Sequence, residues 1–138
     1  MALFEWSNDL LVGVLEIDDQ HQRLVELINK LHDNTINPDQ DADKRIMKEI
    51  IEELFDYTEA HFSIEQYLMD LHAYPESSAH IAEHDKFIDN IRKFEKDFKE
   101  NRTSVREDTL AFLKEWLYNH IMKVDKAFGQ YLNSKGVY

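Results

Sequence analysis

The chain has 138 residues, with 28 acidic against 16 basic side chains and a formal net charge of −12; such a surface repels phosphate backbones and anionic lipid, which argues against nucleic acid and membranes as partners. No cysteine is present, so disulfides, thiolate-held zinc, iron–sulfur clusters and a cysteine nucleophile are excluded. Three glycines and two prolines, set among plentiful Leu, Glu, Lys, Asp and Ala, predict a single all-α domain.

The opening stretch, residues 1–16, mixes Phe4, Trp6, Leu10, Leu11, Val12 and Val14 with polar residues and shows no clean helical period. Its large apolar side chains need a surface to cover, so it is expected to lie as an ordered arm across the rest. Met1 to Ser7 lacks the basic region and apolar run of a signal peptide, and no apolar stretch is long enough to span a bilayer, which predicts a cytoplasmic protein without membrane insertion.

A first helix is expected over about 18–34, where Glu16, Asp18 and Asp19 favour the positive end of the helix dipole. His21 falls on its apolar stripe one turn before Leu24, followed by Leu27, Ile28 and Leu31; Asn34 to Pro38 ends it. A second helix, about 41–71, carries Ile46, Ile50, Leu54, Tyr57, His61, Glu65 and Leu68 at spacings of three or four. A glutamate on such a stripe points to a partner, because an ionised carboxylate is almost never buried unless paired or bound to metal.

His72 to Ser78 holds a proline and two serines, which stop one helix and start the next. The third helix, about 77–100, begins its stripe with His80 and His84 and continues through Phe87, Ile88, Ile91, Phe94 and Phe98. The fourth, about 104–132, opens with Ser104 and Glu107 as a capping box and places Leu110, Leu113, Leu117, His120, Val124 and Phe128 inward. Asp125 follows His120 by five, a poor spacing for one face of a straight helix. Either a local π-bulge or a sideways reach brings it inward, or it is an ordinary surface residue.

In an up-down-up-down four-helix bundle the start of the first helix, the end of the second, the start of the third and the latter half of the fourth share one end. His21, His61, Glu65, His80, His84, His120 and Asp125 therefore meet at one level, leaving His32 and His72 off the inward stripes. Five imidazoles and two carboxylates exceed what one ion takes but suit two metals bridged by the carboxylates. Imidazole with carboxylate and no thiolate favours iron over manganese or zinc. The competing reading, a buried polar network, must bury these groups with few other partners.

Together, Trp6, Val12-Gly13-Val14, Ile17-Asp18, Gln20-His21, His61-x-x-x-Glu65, His80-x-x-x-His84 and Trp116-Leu-Tyr-Asn-His120-x-x-x-x-Asp125 resemble the hemerythrins over nearly the whole chain, in particular single-domain bacterial members. The resemblance implies two iron ions joined by an oxo or hydroxo bridge, with O2 as ligand. It further implies that one iron is held by His80, His84 and His120 and the other, with an open position, by His21 and His61. Glu65 and Asp125 bridge, and Leu24, Phe62, Trp116 and Leu117 line the oxygen pocket. The expected function is reversible O2 binding by a carrier, store or delivery protein, not an enzyme, acting as a monomer and serving an oxygen-consuming enzyme. The alternatives are a di-iron peroxidase or nitric-oxide-handling protein, and an oxygen or iron sensor. Di-iron oxidases and ferritin-like proteins carry more carboxylates than this donor set.

Overall fold

The computed structural model describes residues 3–36, 40–100 and 107–138. All of its regular structure is helical: after a 3-10 turn at Asn8–Leu10 come α1 (Leu15–Ile36), α2 (Gln40–Leu71), α3 (Ser77–Lys99) and α4 (Glu107–Asn119), then a π-helical segment at His120–Asp125 and α5 (Lys126–Ser134). The backbone stays helical at Asn119 and Lys126, on either side of the π segment, so α4, the π segment and α5 form one rod. Four rods therefore make the expected up-down-up-down bundle. α1 packs on α2 and α4, α2 packs on α3, and α3 meets the fourth rod through ring contacts such as Phe87 with Trp116.

The apolar stripes supply the core: Leu24, Leu27, Ile28 and Leu31 of α1, Ile50, Ile51 and Leu54 of α2, Phe87 and Ile91 of α3, and Leu110, Leu113 and Leu117 of α4 are all buried. The Ser104 capping box, the stop at Asn37 and Pro38, and the inward places of Ile46 and Phe98 lie outside the described residues and side chains.

α1 begins at Leu15, earlier than the Asp18 start expected from its acidic residues. The amide of Asp18 already donates to the carbonyl of Val14 at 2.9 Å, so Asp18 sits a full turn inside the helix. Its carboxylate turns back to accept the amides of Val12 at 2.8 Å and Gly13 at 3.3 Å, tying the arm to the helix it precedes. The other end of the arm is fixed by Asn29, whose side chain accepts from the Phe4 amide at 2.8 Å and donates to the Phe4 carbonyl at 2.7 Å. Phe4, Leu10, Val12 and Val14 are buried, as a packed arm requires, while Leu11 faces outward.

Between α2 and α3 the chain turns at Ala73, which adopts φ 51°. The amide of Tyr74 reaches back to the Met69 carbonyl at 3.0 Å and that of Ala73 to Asp70 at 3.4 Å, the pair of bonds that closes a helix C-terminus in a Schellman turn. Tyr131 of α5 adds a hydroxyl donated to the His72 carbonyl at 2.6 Å, so the fourth rod holds the end of the second.

The fourth rod also carries a glycine in a buried helical position, Gly129. A Cβ there would lie 2.1 Å from the Val12 carbonyl oxygen, so only glycine lets the arm backbone lie against α5. Gly129→Ala should therefore destabilise the fold by about 2–4 kcal/mol, read as a lower urea midpoint at unchanged slope. A loss below about 0.5 kcal/mol, the range of an ordinary surface change, would mean that the arm does not rest on α5 in this way.

Candidate metal centre

Each rod delivers donors from the register its apolar stripe dictates. α1 brings His21; α2 brings His61 and Glu65, one turn apart; α3 brings His80 and His84, also one turn apart. The fourth rod brings His120 and Asp125 through its π segment, where bonds running i to i+5 place residues five apart on one face. Asp125 is thereby 1% exposed, and Val124, expected on the inward stripe, is only half-buried. All seven side chains are at most 4% exposed.

The two carboxylates occupy the middle. Glu65 lies 2.6 Å from Nε2 of His61 through Oε1 and 3.2 Å from Nε2 of His80 through Oε2. Asp125 Oδ1 is 2.9 Å from Nε2 of His80 and 3.3 Å from Nε2 of His120, while its Oδ2 is 3.0 Å from Nε2 of His21. His84 Nε2 and His120 Nε2 approach to 3.0 Å. Despite these distances, both oxygens of Glu65 and Asp125 and the Nε2 atoms of His21, His61 and His80 lack a hydrogen bond of proper geometry. Buried polar atoms are normally satisfied, so donors crowded together without bonding one another fit a cation shared among them.

Two groupings of donor atoms each fall within 4.8 Å of one another: Glu65, His80, His84, His120 and Asp125 in one, and His21, His61, Glu65 and Asp125 in the other. Both carboxylates belong to both groups. Five donors around one position and four around the next suit two ions bridged by carboxylates, with the second less completely surrounded.

The electrostatics of the protein groups agree. Burial and the charge of Asp125 push Glu65 up, but His61 and His80 outweigh them and hold it below its ordinary value. Burial likewise opposes ionisation of Asp125, yet His120, His21 and His80 keep it well below the usual range. Burial would lower His80, but Asp125 and Glu65 raise it to about 9, and they raise His120 in the same way. His84 follows its burial down to about 3 and is neutral. Both carboxylates are thus charged and balanced by protons on imidazoles, which a cation would displace on binding.

Beneath the donors lies a cavity of about 10 Å³ lined by Leu24, Ile28, Leu54, Thr58, Phe62, Phe87 and Leu117. Leu24, Thr58, Phe87 and Leu117 each stand three positions from a donor histidine, one turn deeper in the bundle. Three of the four residues expected around an oxygen pocket are therefore on this wall. Trp116 is outside the lining: its ring stacks on His120 at 4.5 Å and on Phe87 at 4.1 Å. Ile28, Leu54 and Phe87 read in the sequence as plain core and Thr58 carries no signal there; Thr58 and Phe87 stand one turn from a donor histidine, Ile28 and Leu54 two turns.

The model of the family described as Hemerythrin HHE cation binding domain matches residues 12–132. The chain belongs to the hemerythrin family. Bacteriohemerythrin of Pseudomonas aeruginosa is 38% identical to it over 128 residues, covering 93% of this chain and 80% of that one. Bacteriohemerythrin of Methylococcus capsulatus is 36% identical over 135 residues, covering 97% and 100%. A crystal structure of wild-type hemerythrin, 34% identical, matches with a TM-score of 0.88 over 95% of this chain and 98% of its own. As in that family, the buried His, Glu and Asp cluster here is suited to a metal centre. Among the described residues no helix is long and apolar enough to cross a membrane.

Because both donor groups use Asp125, its loss should disturb both positions of this hemerythrin-family site. Metal analysis after reconstitution is expected to find two ions per chain in the parent protein and fewer than one in Asp125→Ala, with a lower melting temperature in the variant. Two ions retained by Asp125→Ala would make that carboxylate a structural residue only.

Proposed function

We propose that this hemerythrin-family chain binds O2 reversibly at a di-iron centre and serves as an oxygen carrier or store. The observation that carries this reading is a small, largely apolar cavity whose wall begins one helical turn from the histidines of two donor groups that share both carboxylates. The donor set, imidazole and carboxylate without thiolate, fits iron. On this reading His80, His84 and His120 would hold one iron and His21 and His61 the other, with Glu65 and Asp125 available to both. Two irons so held supply reversible two-electron exchange with O2.

The protein's own contribution is to position these donors, to keep water away and to admit a small neutral molecule. A volume of about 10 Å³ is the room one water-sized molecule needs, and a cavity walled by Leu, Ile and Phe side chains disfavours water. The lining's one hydroxyl, on Thr58, donates to the Leu54 carbonyl at 2.7 Å and so has no proton to offer inward. An enzyme acting on O2 needs an acid or base beside the reacting atoms; this wall has none, which favours the carrier over a peroxidase or nitric-oxide-handling enzyme. We place the protein in the cytoplasm as a monomer that hands O2 to an oxygen-consuming enzyme, a reading supported by its acidic, cysteine-free composition.

The direct test is the visible spectrum of the iron-loaded, reduced protein under argon, after air, and after argon again. A colour that appears with air and is lost under argon is expected; an irreversible change, or none, would remove the carrier reading. Leu117→Asn introduces a polar group into the wall without touching a donor. It should keep both irons and shorten the lifetime of the oxygenated spectrum by about tenfold or more, the effect of about 1.4 kcal/mol on the barrier. Equal decay rates at equal iron content would make Leu117 simple core.

A further inference from the structure

Two donor imidazoles are held from behind by side chains that lie outside the donor set. Nδ1 of His61 meets Oε1 of Gln20 at 2.5 Å, and Nδ1 of His120 meets Oε2 of Glu83 at 3.0 Å. One prop is a neutral amide and the other a carboxylate. They serve different positions, since His61 belongs only to the four-donor group and His120 only to the five-donor group. Nδ1 of His21 and of His80, both buried, have no such partner.

A carboxylate only accepts, so Nδ1 of His120 carries a ring proton toward Glu83, and Nε2 is the nitrogen whose lone pair would face a metal ion in the cluster. Glu83 precedes the donor His84 on α3 and reaches across to the fourth rod, so one turn of α3 supplies a donor and also orients a donor from a neighbouring helix. The carboxylate adds negative charge one ring away from the metal position, and charge-assisted bonds of this kind are about twice as strong as neutral ones. Its side chain is 49% exposed while that of His120 is 2% exposed, so solvent screens part of the effect and the pair spans from surface to centre.

We propose that Glu83 is a positioning residue that fixes the His120 tautomer and makes the two iron positions electronically unequal, favouring the oxidised state at the five-donor position. The inference rests on the di-iron reading given above. Glu83 contributes through the ring of His120, and Gln20 supplies orientation alone at His61.

Three chains test it: the parent, Glu83→Gln, which retains an accepting oxygen but no charge, and Glu83→Ala, which retains neither. Loaded with zinc, which has no redox chemistry, Glu83→Ala should release the metal to a chelator about 10- to 100-fold faster than the parent, the usual effect of losing such a partner. Glu83→Gln should stay within about threefold of the parent. Loaded with iron and titrated electrochemically, Glu83→Gln should favour the reduced state by up to about tenfold at fixed potential, an upward shift of up to 59 mV for a one-electron step. A role in packing alone would leave that potential unmoved. Zinc release from Glu83→Ala at the parental rate, or equal potentials in the parent and Glu83→Gln at equal iron content, would overturn the proposal. A parent chain that takes up no iron would instead overturn the di-iron reading.

Discussion

Glu65 and Asp125 are two like-charged carboxylates brought together in the interior of a helical bundle, at 0% and 1% exposure. Burying one ionised carboxylate already costs several kcal/mol, and each of this pair raises the cost for the other. The arrangement stands only because imidazoles from all four rods surround it with positive charge or with lone pairs that a cation can use. Every rod is thereby committed to one register: a slip of one residue in any of them turns a donor outward and leaves a buried charge uncompensated. Apolar packing deeper in the bundle, at residues such as Leu27, Leu31, Leu110 and Leu113, supplies the cohesion against which this polar end is held.

The π segment is where that commitment departs from regular helix. A straight α-helix would carry Asp125 some 140° round from His120, and the wider turn at His120–Asp125 brings both to the same face. Such turns are rare because they are less favourable than α-helix, and this one is braced from outside. The 3-10 turn of the arm packs on it, Val12 lies against Gly129 just beyond it, and the buried Asp18 holds the arm in place. The arm is thus part of the site's support although none of its residues is a donor.

The inward stripes, and with them the level at which His21, His61, Glu65, His80, His84 and His120 meet, were legible because periodicity and burial follow directly from helix geometry. Asp125 was legible as an anomaly: its spacing announced either a π turn or a surface residue, and the fold decides between them. The start of α1 was misplaced because Asp18 looks in sequence like a helix-entry residue, whereas its carboxylate serves the two arm amides before the helix. Gln20 was marked only as part of the family motif beside His21, with no hint of its bond to His61, and Glu83 carried no signal. Glu83 sits on a charged, exposed face of α3, and its contact with His120 depends on the distance between two helices that no single stripe encodes. Trp116 was expected at the pocket wall through family resemblance, but its position on α4 turns the ring onto His120 and Phe87 instead.

The two donor groups are unequal in a way that bears on where a small ligand would bind. Five of the seven cavity residues, Leu24, Ile28, Leu54, Thr58 and Phe62, come from α1 and α2, the helices that supply the imidazoles of the four-donor group. Phe87 and Leu117 close the far side, and Phe62 lies flat on His84 at 3.7 Å, shielding the five-donor group from this direction. The position with fewer protein donors therefore lies on the side of the helices that form most of the apolar space. On the proposed reading, a diatomic molecule held in that space would be surrounded mainly by aliphatic and aromatic side chains. Selectivity would then rest on size and on the cost of bringing in a group that needs a hydrogen-bond donor, since the wall's one hydroxyl already donates to Leu54.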